Sequence, residues 1–147
     1  IDLGTAIDWQ STVSQALDDL EVFILNPRRN DWNSNTLQSI GDNVFKEQVE
    51  WELNAQEKAD IIAFYFAPNT LAPITLLEFG LAINIKRAIV CCPNGFWRKG
   101  NIDIVWAHYG IPQVNPLDDL ISAIRLEVVT SSGASPERRT HCVRRAQ

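Results

Sequence analysis

Ile61-Ile62-Ala63-Phe64-Tyr65-Phe66-Ala67, broken by Pro68 and Asn69 and followed by Pro73-Ile74-Thr75-Leu76-Leu77-Glu78-Phe79-Gly80, decides the fold. The first run is apolar on both alternating sets of positions, as a strand covered on both faces must be. The second run, continuing to Ile85, starts with a proline suited to a first helical turn and is apolar on nearly every side, which predicts a deeply buried helix. The whole stretch is long enough to cross a bilayer, but Pro68, Asn69 and Pro73 divide it into two short buried elements.

The same pattern extends in both directions. Val22-Phe23-Ile24-Leu25, ended by Asn26-Pro27, and Ala88 to Cys92 are further apolar strands. Ala6 to Leu20, with Ile7, Val13, Ala16, Leu17 and Leu20 on one side, Asn43 to Ala59, and Leu117 to Val129 are the predicted helices. Arg28 to Gly41 is a long polar loop, and a second loop runs from the strand at Cys92 to Gly110. Strands alternating with helices imply an α/β sandwich of three layers around a parallel sheet. Only three strands are evident, and the opening strand expected of such a sheet has no match from Ile1 on, so either it is absent from this sequence or the element is supplied another way.

The 147 residues suit one domain with an adequate core and no need of disulfides. Apolar residues make up 46% and charged ones 21%, which excludes a disordered or fibrous chain. The net charge of −5 argues against a nucleic-acid binder. Four arginines and one glutamate in residues 137–147 make the end of the chain basic. Residues 1–130 are therefore expected to be the domain, and residues 131–147 a basic, flexible tail. Cys91, Cys92 and Cys142 have no zinc-like spacing, and no leader is evident, so reduced thiols and a cytoplasmic setting are expected. His108 and His141 are isolated. No metal, cofactor or membrane partner is expected.

Two carboxylates stand out. At about 100° per residue, Phe45, Val49, Ala55 and Ala59 fall within roughly 60° of Glu52, with Gln48 and Gln56 about 40° to either side. Lys46, Glu47, Glu50, Glu57 and Lys58 lie on the far side. A carboxylate on an apolar face requires either a backbone hydrogen bond or a functional reason. Glu78 is the only charge between Ile61 and Ile85. Thr75-x-x-Glu78 matches a capping box. The alternative is a ligand-facing acid beyond the end of a parallel strand, where open α/β sheets bind their ligands. Gly80 would then admit a close approach. Two converging acids are the minimum set for breaking a glycosidic bond.

Asp2-Leu3-Gly4-Thr5-Ala6-Ile7-Asp8-Trp9-Gln10, Asn26-Pro27-Arg28-Arg29-Asn30-Asp31-Trp32, Gln48-Val49-Glu50-Trp51-Glu52-Leu53, Ala59-Asp60-Ile61-Ile62 and Pro73-Ile74-Thr75-Leu76-Leu77-Glu78-Phe79-Gly80 together resemble the nucleoside 2-deoxyribosyltransferase-like proteins. The likeness continues through Cys92-Pro93-Asn94-Gly95-Phe96-Trp97-Arg98-Lys99-Gly100-Asn101 and covers residues 2–125 in consistent order. It implies a flavodoxin-like fold and cleavage of the N-glycosidic bond of (deoxy)nucleosides or nucleotides. Glu78 matches the family's nucleophile on C1′. Glu52, eight residues before Asp60, matches the carboxylate that protonates the departing base, with Glu in place of the usual Asp.

Asp2, Gly4 and Asp8 would contact base and sugar, Asp31 and Trp32 would close over the base, and Gln48 would be a further substrate contact. Asn101 is the nearest match to an Asn given by a neighbouring subunit to the sugar 5′-hydroxyl, which implies a homo-oligomer. Arg98, with Arg28 and Arg29, would serve a 5′-phosphate. An acid usual six residues before the nucleophile is Ala72 here. Deoxyribosyl transfer to a second base is the expected outcome. Hydrolysis and a non-catalytic nucleotide-binding module are the alternatives.

Overall fold

The computed structural model describes residues 7–28, 36–85, 88–132 and 140–143. Helix α1 (Trp9–Ala16) leads to β1 (Phe23–Ile24). Next come α2 (Asn43–Lys58), β2 (Ile62–Tyr65), α3 (Pro73–Ala82) with a 3₁₀ turn at Ile83–Ile85, and β3 (Ala88–Cys91). Helix α4 (Lys99–Tyr109), β4 (Gln113–Val114), α5 (Leu117–Ser132) and β5 (Thr140–Val143) follow. All strand pairings are parallel, in the order β1-β5-β2-β3-β4.

Alternation along the central strands separates two cores. Ile62, Phe64 and Phe66 with Ala88, Val90 and Cys92 face the side covered by α2, α3 and α4. Ile61, Ala63, Tyr65 and Ala67 with Ile89 and Cys91 face α1 and α5. Both faces are dry, so both sets of strand positions are apolar. From β1 to β2, β3 and β4 the chain joins each strand to its successor through a helix of the first layer. It then turns back from β4 to β5 through α5, in the second layer. Reversal of direction together with a change of face is what a constant crossover hand requires. The architecture is a flavodoxin-like α/β sandwich.

The place between β1 and β2 belongs, in a flavodoxin-like sheet, to the first strand. Here β5 fills it, pairing Phe23 with Thr140 and Ile24 with His141 on one side, and Ile62 with Cys142 and Ala63 with Val143 on the other. Part of the segment expected to be a tail thus pairs into the sheet between β1 and β2. Thr140-His141-Cys142-Val143 lacks the Val/Ile run of an ordinary buried parallel strand and is flanked by arginines, so its sequence does not announce it.

Three other elements depart from expectation. Helix α1 begins at Trp9, where Asp8 accepts from the Ser11 backbone N–H, and Ile7 lies outside it, exposed. Residues 99–109 are helical rather than loop, with Ile102, Val105 and Trp106 packed on the core and Gly110, at φ 64°, ending the helix. Helix α3 is apolar all round yet only one side is buried. Ile74, Leu77 and Leu81 are 54%, 61% and 51% exposed.

Candidate active site

Because the strands are parallel, the segments after β1, β2 and β3 all leave from one edge of the sheet, where open α/β folds form their ligand crevice. Side chains knit these segments together. Asp8 accepts through Oδ1 from Ser11 N (3.2 Å) and through Oδ2 from Ser11 Oγ (2.9 Å), and pairs with Arg28 Nη1 beyond β1 at 3.1 Å. The Trp9 ring lies 5.7 Å from that of Tyr65, the last residue of β2. Beyond β2, Asn69 N donates to Gly95 O at 3.1 Å. Trp97 Nε1 donates to Leu71 O at 3.0 Å. Gly95 has φ 99° and stands so close to Pro68 that a Cβ would lie 3.1 Å from the proline ring, so both conformation and space favour glycine.

Helix α3 begins with Pro73 at its first position. Its N-cap is Ala72, in the left-handed region at φ 44°, with no side-chain cap. Thr75 is therefore not the cap, and the capping-box explanation of Glu78 does not apply. Glu78 sits in the second turn, 8% exposed, and is the only charged residue among the buried polar side chains of the described residues. The next residue, Phe79, packs edge-on against Phe64 (5.4 Å) and Phe66 (5.7 Å) and seats the helix on β2. A methyl group at Gly80 would meet nothing within 4 Å, so within the chain this glycine serves no close approach.

On α2, Ala55, Gln56 and Ala59 are buried, and Phe45, Gln48, Val49 and Glu52 are half-buried. The charged residues assigned to the far side are exposed. Gln48 Nε2 donates to Glu52 Oε1 at 2.8 Å and to Pro27 O at 3.4 Å, linking the carboxylate to the loop that follows β1. Gln48 thus holds Glu52. Glu52 and Glu78 stand on helices of the same layer, whose Ala55, Ala59, Phe79 and Ala82 share one core cluster.

The remaining candidates differ in placement. Asp8 caps α1 and pairs with Arg28. Arg98 is exposed, its guanidinium 4.1 Å above the Trp97 ring, an arrangement favourable for a cation and an aromatic face. Asn101 is exposed near the start of α4. Asp2, Gly4, Asp31 and Trp32 lie outside the described residues. Burial raises the Tyr65 hydroxyl and keeps it protonated. Burial also pushes the Cys91 thiol up to about 12 and the Cys92 thiol to about 11, so neither provides a thiolate nucleophile. One residue passed over in the sequence is conspicuous in the structure. Gln10, in the first turn of α1, is fully buried.

Residues 1–96 match the family described as nucleoside 2-deoxyribosyltransferase like. The chain belongs to that family. Among curated proteins, none matches it. The match includes both candidate acids and every segment that carries the site edge up to Phe96. It ends before Arg98 and Asn101.

Proposed function

We propose that this nucleoside 2-deoxyribosyltransferase-like protein cleaves the N-glycosidic bond of (deoxy)nucleosides or nucleotides and transfers the sugar to a second base. A Glu78 carboxylate oxygen attacks C1′. The C1′–N bond breaks with its electron pair passing to the base, which takes a proton from Glu52, leaving a glycosyl ester on Glu78. A nitrogen of the incoming base then attacks C1′, the Glu78 carboxylate departs, and Glu52 recovers the proton. Gln48 is a positioning residue for Glu52. Asn101, exposed on α4, is available to a neighbouring subunit's sugar in a homo-oligomer, and Asp2, Gly4, Asp31 and Trp32 are assigned to the substrate.

The observation that carries this reading is Glu78 itself. It is a buried carboxylate on the helix that follows the most apolar strand, in a helix whose cap is made without it. Supporting the reading, Glu78 lies within the residues that match the family and beyond the end of a parallel strand, where open α/β sheets bind their ligands. The test is incubation with a 2′-deoxynucleoside, with and without a second free base. A new nucleoside identifies transfer, and free deoxyribose identifies hydrolysis on the same intermediate. Glu78→Ala is expected to abolish turnover. Glu50→Ala is expected to leave it intact, because Glu50 is an exposed partner of Lys46 at 3.4 Å. Equal activity in the two variants would refute the assignment.

A further inference from the structure

Gln10 is 1% exposed, and neither its Nε2 nor its Oε1 has a hydrogen-bond partner among the described residues. The adjacent Trp9 indole Nε1 is likewise buried with no partner among the described residues. A carboxamide removed from water and left unbonded is expensive, and a methionine of similar size would pack there without that cost. Its neighbours place it. Asp8 is bound to Arg28 beyond β1, and Trp9 packs on Tyr65 at the end of β2. Gln10 therefore belongs to the carboxyl edge of the sheet, beside the segments that lead from β1 and β2 into the two acid-bearing helices.

The free groups of a carboxamide are a donor and an acceptor side by side in one plane. A simple anion or cation satisfies only one of them. The edge of a nucleobase, which presents an acceptor next to a donor, satisfies both, as glutamine does with adenine elsewhere. We propose that Gln10 reads the edge of the substrate's base and fixes base preference, with the Trp9 indole N–H as an additional donor. This rests on the reading of the site as one for nucleosides. It gives the first turn of α1 a role in specificity, whereas the acids act on the sugar.

Three proteins test it: wild type, Gln10→Met and Gln10→Glu. Each is melted without nucleoside and titrated calorimetrically with 2′-deoxyadenosine, 2′-deoxyinosine and 2-deoxyribose. Gln10→Met is expected to melt higher than wild type, to bind 2′-deoxyadenosine at least tenfold more weakly, and to bind 2-deoxyribose unchanged. On the N7 edge, where 2′-deoxyadenosine offers an amino donor and 2′-deoxyinosine only acceptors, Gln10→Glu, which only accepts, is expected to shift the ratio of the two nucleoside affinities towards 2′-deoxyadenosine. A Gln10→Met protein that melts lower and binds both nucleosides as wild type does would show a structural amide and overturn the inference. Equal weakening for nucleoside and free sugar would assign the amide to the sugar and overturn it too. A wild-type protein that turns nucleosides over through Glu78 with no dependence on Gln10 removes this inference alone. One that neither binds nor turns over any nucleoside removes the functional reading first.

Discussion

Phe79 is the most informative single position for testing how the fold holds its candidate nucleophile. Its ring meets Phe64 at 5.4 Å and 72° and Phe66 at 5.7 Å and 80°, both edge-to-face. It is buried, adjacent to Glu78, and fixes α3 against β2. Phe79→Leu keeps an apolar side chain but removes both ring contacts. At about 0.5–1.5 kcal/mol for each aromatic pair, the loss is about 1–3 kcal/mol. For a domain of this size each kcal/mol lowers the melting temperature by about 2–4 °C, so a fall of about 4–8 °C is expected for a loss near 2 kcal/mol. Reversible thermal or urea unfolding of Phe64→Leu, Phe79→Leu and the double variant measures the pair directly. The expected coupling is about 0.5–1.5 kcal/mol. Additivity of the two changes within about 0.3 kcal/mol, together with a melting shift below about 2 °C, would refute the reasoning. In the same variant kcat is expected to fall more than KM rises, because α3 loosens where it carries Glu78.

Three further outcomes follow from other contacts. Cys91 and Cys92, raised to about 12 and 11 by burial, are expected to resist a thiolate-directed reagent at pH 8 in the folded protein and to react at once in denaturant. Rapid native labelling of either would contradict their burial. Hydrogen bonds from Arg125 hold the Asp19 carboxyl below its ordinary value of 3.8. The stabilisation is therefore present above the unfolded value and lost as pH falls through the folded one. Arg125→Met should lower the melting temperature more at pH 7 than at strongly acid pH, where only the loss of the Arg125 Nη1 bond to Ala16 O remains, and an equal difference at both would contradict the pairing. Gly80→Ala, on an exposed helical position with open space around it, is expected to stabilise the isolated chain by about 0.5–1 kcal/mol. A loss measured by denaturant melting would show that the methyl is obstructed.

What the sequence disclosed depended on how each element is stabilised. The face of α2 was legible because the 3.6-residue repeat separates its half-buried and exposed residues, with Glu52 on the inner side. β2 and β3 were legible because burial on two faces demands unbroken apolar runs. β4 has two half-buried residues, and β5 reads Thr-His-Cys-Val; both pair along the ladder, and composition does not register backbone pairing. In α4, Gly100 and Asn101 at the start obscure the Ile102, Val105 and Trp106 stripe. At the site, Glu78 and Glu52 were visible as charges in apolar surroundings. Gln10 was not, because an uncharged polar residue on a short helix reveals itself only through its burial and its lack of partners among the described residues.

The β5 pairing also bears on the order of assembly. β2 and β3 are joined by one short helix and can meet early, since little chain entropy is lost in closing that connection. The place between β1 and β2 is filled by a segment from the far end of the described chain, after a crossover over two strands. Such remote pairing is slow. Until it happens, β1 and one side of β2 present open backbone edges to other chains. Refolding at high protein concentration should therefore lose material to aggregation in the interval before the last strand docks, and dilution should recover it.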